Sequence, residues 1–133
     1  MNFQFENLTI LVHGDKGVIL MEESILITIK KLLGLAEEDE SFDIDIITHI
    51  NSVFNILYQL GVGDPDFFIT GKSAIWADYL GDKIDFLSLV RSYIYLRVRK
   101  MFDPPQNGTA MDALNTTIDE LTWRINVAVD PES

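Results

Sequence analysis

Apolar positions along this chain recur mostly at helical spacing, and turn residues mark where each run stops. From Met21 onward, Ile25, Leu26, Ile29, Leu32 and Leu33 form one helical stripe. Glu22 and Glu23 stand at its front, Lys30 and Lys31 near its end, and Gly34 is placed to cap its C-terminus. An acidic turn, Glu37 to Glu40, follows, after which Ser41 or Asp43 is expected to cap a second helix from about Ile44 to Leu60. The apolar set of that helix (Ile46, Ile47, Ile50, Val53, Phe54, Leu57, Leu60) spans more than one narrow face. Such a helix is central, or lies between subunits. Gly61 to Pro65 ends it.

Asp66 to Thr70 fits a short strand or a hydrophobic loop, through Phe67, Phe68 and Ile69. A short helix is expected over Ser73 to Leu80, carrying Trp76 and Tyr79 and stopped by Gly81. The fourth, Ile84 to Phe102, is apolar nearly all round, and Asp103-Pro104-Pro105 breaks it. In the last, about Thr109 to Val127, Met111, Leu114, Ile118, Leu121 and Ile125 alternate spacings of three and four, a heptad seam. The pattern predicts an all-α fold, a compact bundle of four to five helices with short connections.

Residues 1–20 differ in texture. Leu8, Ile10 and Val12 alternate weakly before a Gly14-Asp15-Lys16-Gly17 turn, which fits a short hairpin or an extension with little structure. Lys16 to Ile19 back-translates to a purine-rich string resembling a ribosome-binding site just ahead of Met21. The expected organisation is therefore a non-native or flexible extension over 1–20, extended or disordered, and a single helical domain over 21–133.

Composition narrows the function. A chain of 133 residues, 47% of them apolar, makes one domain with a real core, burying roughly 68% of its unfolded surface. Ten Lys and Arg against 21 Asp and Glu leave a net charge of −11, which argues against a surface that coats nucleic acid or anionic lipid. With no cysteine, disulfides, thiolate metal sites and cysteine catalysis are excluded. The richest apolar stretch, Ile44 to Val62, is interrupted by Asp45, His49, Asn51, Asn55 and Gln59, so no membrane span is expected. Met1 to Leu20 lacks the positive start of a signal peptide. A soluble, acidic, intracellular-type domain is the expectation.

Tests for chemistry fail one after another. Glu37 to Asp45 holds six carboxylates in nine positions. A calcium loop starting at Asp39 would put Ile44 where the turn needs Gly and Ile50 where it needs a bidentate Glu. Gly71-Lys72-Ser73 resembles the end of a phosphate loop, but Asp66 stands where the first Gly belongs, so a turn and helix cap is the better account. His13 and His49 have no helical His partner for zinc and no nucleophile with an orienting group. We therefore assign no catalytic residue, cofactor or metal.

Positive charge is more informative. Arg91, Arg97, Arg99 and Lys100, four of the ten basic residues, fall within ten positions of the fourth helix. At about 100° per residue they form no single stripe: Arg91 lies within about 80° of Arg99, and Arg97 and Lys100 share another side. They suit the C-terminal end of a helix dipole. They also suit a subunit interface, in which a basic patch meets the acidic face of a neighbouring copy, head to tail, and closes a ring. Trp123 and Arg124, beside the last seam, are candidates for the same contact, Trp123 serving equally as ordinary core. A competing reading from the net charge is an acidic inhibitor or DNA mimic that binds a host nucleic-acid-handling protein. Its weakness is that the densest acids are confined to one turn.

From Met21 to about Pro131 the sequence resembles the small head–tail connector (adaptor) proteins of tailed bacteriophages. The features are "ILITIKKLLGL" with its "EEDESFD" turn, then "DIITHINSVFNILYQLGVG", "LSLVRSYIYLRVRKMFDPP" and the closing "LTWRINVAVDP", in that order and spacing. The resemblance implies an all-α structural subunit, without enzyme activity, that forms a homo-oligomeric ring beneath the portal protein. It implies a tail-completion or stopper protein as the next partner, and DNA passing through the lumen without specific binding. The implied location is the virion neck, with the host cytoplasm during assembly.

Overall fold

A computed structural model describes residues 20–130. Their elements, in order, are α1 (Ile25–Leu32), α2 (Asp43–Gln59), α3 (Trp76–Leu80), a 3-10 turn (Ile84–Phe86), α4 (Leu87–Phe102) and α5 (Gly108–Val129). The expected all-α bundle is thus the observed architecture. The hairpin or extension expected over 1–20 lies, Leu20 apart, outside the described residues.

Helix α1 begins later than Met21, because Ser24 caps it by accepting from the Ile27 amide at 3.2 Å. Glu22 and Glu23 therefore precede the helix and do not occupy its first turn. What fixes this start is distant in sequence: Ser24 and Ile75 form an isolated antiparallel bridge, with Ile25 N donating to Ala74 O and Trp76 N to Glu23 O. The Trp76 indole then donates to Thr28 Oγ1 at 3.2 Å, so the loop before α3 is tied to α1 by both backbone and side chain. At its far end, Gly34 takes φ +85°, and the amides of Gly34 and Leu35 return to Lys31 O and Lys30 O. This is the left-handed cap the sequence announced.

Neither Ser41 nor Asp43 caps α2. Its cap position is Phe42, which offers no side-chain hydrogen bond. Asp43 is instead drawn across to the Lys30 ammonium on α1, 2.9 Å from Oδ1, while Asp39 Oδ1 accepts from the Ser41 amide. Lys30 is 1% exposed and also donates to Glu37 O at 2.9 Å. A buried ammonium needs such partners, so Lys30 folds the acidic turn back onto α1 and α2. Bonds from the Ser41 side chain and amide hold the Asp39 carboxyl below its usual range.

The segment after α2 is a loop, not a strand. Asn51 on α2 does the work of a neighbouring strand: its Nδ2 donates to Ile69 O and its Oδ1 accepts from Ile69 N, both at 2.9 Å. Ile69 is thereby buried while Phe68 points out, 64% exposed. Phe67 joins Phe54 and Tyr79 in an aromatic trio with centroids 4.5–5.1 Å apart. Ser73 does not cap α3, which begins three residues later with Ile75 at its cap position. Asp78 Oδ2 accepts from the Ile75 amide.

Helix α4 is the axis of the core. Leu87, Val90, Tyr93, Ile94 and Val98 are buried along it, and it packs against both α2 and α5. The two partners lie on opposite flanks. The Phe102 ring meets Phe42, at the start of α2, edge-on at 5.3 Å, whereas the Tyr93 hydroxyl meets Thr122 Oγ1 of α5 at 3.4 Å. Nine residues turn a helix through about two and a half revolutions, which sends these two side chains to opposite sides. The α5 seam has the expected phase: Leu114, Ile118 and Ile125 are buried, Met111 and Leu121 half-buried.

Burial also leaves the Tyr79 hydroxyl without a hydrogen-bond partner among the described residues and pushes its pKa well above the ordinary value near 10. The fold thus favours the neutral phenol. That preference is harmless below pH 10 and destabilises as pH rises past it, because the unfolded chain ionises first. Tyr79→Phe is expected to leave stability unchanged or raise it by up to about 1 kcal/mol at neutral pH, and to flatten the alkaline loss. Urea unfolding at pH 7 and above pH 10 checks both.

Candidate functional site

The six basic and aromatic candidates do not converge on one cleft. Arg91 leaves α4 on nearly the same side as Phe102, towards α2, and is half-buried. Arg97 belongs to the fold: its Nε donates to the Tyr93 hydroxyl at 3.0 Å, and its guanidinium carbon lies 5.3 Å from that ring's centroid. Through Tyr93 and Thr122 it helps fasten α4 to α5. Arg99 and Lys100 stand together at the C-terminal end of α4, where the helix dipole favours cations. Arg99 is half-buried with its Nε shielded and unpartnered among the described residues, and Lys100 is exposed.

Trp123 is not core. It is 65% exposed on the outer face of α5, one turn before Val127, which is 45% exposed. Arg124 pairs with Glu120 on the same helix, Nη2 to Oε2 at 2.8 Å. Because both partners are more than half exposed, this pair contributes little. The ion pairs among the described residues are Lys30 to Asp43, Lys31 to Glu37 and Arg124 to Glu120. Arg91, Arg97, Arg99 and Lys100 thus have no carboxylate partner there, in a chain with twice as many acids as bases.

Sequence reasoning missed apolar side chains left exposed where α2 begins and α4 ends. Phe42, Ile44 and Met101 are 41%, 80% and 43% exposed there, around the Phe42–Phe102 contact. Ile44 and Met101 read as ordinary members of apolar helices. Only the direction of each helix within the bundle shows them facing outward.

A cleft of about 520 Å³ is lined by Gly61, Gly63, Asp64, Asp78 and Lys83, among others, and His49 is not part of its wall. Among the described residues no three His, Asp or Glu side chains gather to hold a metal ion. No helix there is long and apolar enough to cross a membrane.

No curated protein and no solved structure matches the chain. Residues 25–132 match the phage connector protein family, from the first residue of α1 to beyond the end of α5. That span covers most of the chain and α1 to α5, so this protein belongs to the phage connector protein family.

Proposed function

We propose that this chain is a structural subunit, without chemistry of its own, that assembles head to tail into a ring beneath the phage portal protein and links the DNA-filled head to the tail. Residues 21–133 form the connector domain in this reading. Its partners are other copies of itself, the portal protein and a tail-completion or stopper protein, and its place is the neck of the virion. Carboxylates in excess would line a lumen through which DNA slides, because like charge disfavours phosphate contacts.

One observation carries the ring reading. Four cations on α4 find no carboxylate among the described residues, although acids outnumber bases 21 to 10. Leaving cations unpaired on an acidic molecule favours contact with the acidic surface of another copy. Exposed Trp123 and Val127 on α5, with Phe42, Ile44 and Met101 near the start of α2 and the end of α4, supply apolar area of the kind that neighbours cover.

The test is a split between assembly and fold. Reversing charge at Arg99 and Lys100 together is expected to abolish or strongly weaken assembly while moving the thermal midpoint by no more than a few degrees. Arg97→Glu is expected to lower both, since it also removes the Tyr93 contact. Equal loss of fold and assembly in the Arg99 and Lys100 variant contradicts the interface. Sedimentation velocity and circular dichroism read the two quantities.

A further inference from the structure

Between α4 and α5, below the Pro104-Pro105 break, lies an open groove of about 250 Å³ lined by Leu96, Arg99, Pro105, Ala110, Leu114 and Thr117. Its apolar wall surrounds one charged group. Arg99 lines the groove, and its Nε is buried with no hydrogen-bond partner among the described residues. The guanidinium to which it belongs has no carboxylate partner among the described residues, and a carboxylate is the acceptor that matches its planar geometry.

At the same end of the molecule, where Phe42 meets Phe102, sits the acidic turn between α1 and α2. Lys30 and Lys31 take Asp43 and Glu37, and Asp39 accepts from Ser41. Glu38, Glu40 and Asp45 are exposed and make no ion pair among the described residues. The turn itself is held rigidly by the buried Lys30, so these carboxylates project from a fixed base at little cost in ordering.

We infer that the Arg99 groove of one copy receives the acidic turn of the next, with a carboxylate from Glu38 or Glu40 reaching the Arg99 guanidinium. This rests on the ring reading above and assigns the two halves of its contact. The placement has a geometric consequence. Groove and turn lie at the same end of the central helix, so copies joined this way stand at one height. Repetition of a contact between two different surfaces of that kind closes into a ring when the rotation permits.

The absence of cysteine makes a clean test possible. Two single variants of the full chain, Glu40→Cys on the turn and Ala113→Cys in the groove wall, are prepared separately, mixed under assembly conditions and oxidised. The expected product is the disulfide-linked heterodimer, at least about tenfold over either homodimer, with the preference lost when Arg99→Glu is added to the groove variant. Predominant homodimers of the Glu40→Cys chain overturn the inference, because they put turn against turn. Assembly without heterodimer overturns the docking and leaves the ring reading standing. A wild-type chain that stays monomeric with and without portal protein overturns both.

Discussion

Trp76→Ala is expected to cost about 3–5 kcal/mol, a large part of the stability a domain of this size possesses. Trp76 is 1% exposed and is the bulkiest side chain in the core. Its removal leaves a cavity and also cuts the indole bond to Thr28 Oγ1. That bond and the Ser24–Ile75 bridge hold the loop before α3 against α1. Urea unfolding should show a much lower midpoint, and Trp76→Phe should recover more than half of the loss, since a second aromatic fills much of the space. A cost under about 1 kcal/mol for the alanine variant would mean that α3 is not packed as described.

Lys30→Ala has the second-largest expected effect, about 3 kcal/mol. Breaking a buried ion pair typically costs about 3–5 kcal/mol, because the surviving charge loses its partner. The lower end applies because Asp43 keeps 23% of its side chain in water. Lys30→Met is expected to recover part of the loss by filling the volume, and the double variant Lys30→Met with Asp43→Asn most of it, since no charge is then stranded. A double-mutant cycle in urea reads the coupling. The consequence for assembly is separable. Even where the methionine variant folds, the acidic turn loses its anchor at Glu37 O, so contacts made through that turn should weaken.

Helices were legible because their periodicity is local. The α5 seam from Met111 to Ile125 and the Gly34 and Gly61 caps depend only on neighbours within one or two turns. Errors arose wherever a residue's partner is remote. Asp43 reads as a helix cap until Lys30, thirteen positions earlier, claims it. Asn51 looks like one polar residue interrupting α2, and nothing nearby reveals that it clamps Ile69. Ser73 has the chemistry of a cap, but the bridge through Ile75 sets where α3 begins.

The candidate surface was partly legible for the same reason. Clustering of basic residues on one helix is a property of the sequence. Separating the structural Arg97, bound to Tyr93, from Arg99, shielded and unpartnered, requires knowing that α5 crosses beside Tyr93. Trp123 likewise fits either core or surface at its heptad position, and only the packing of α5 turns it outward.

Mass photometry of the full chain, alone at high concentration and mixed with the phage's portal protein, tests the central claim most directly. Self-association through unlike surfaces should give one closed species of fixed copy number, seen as rings in negative-stain images, and rising salt should weaken it because charged groups carry part of the contact. A particle of single-chain mass under both conditions, never joining the portal, would contradict it.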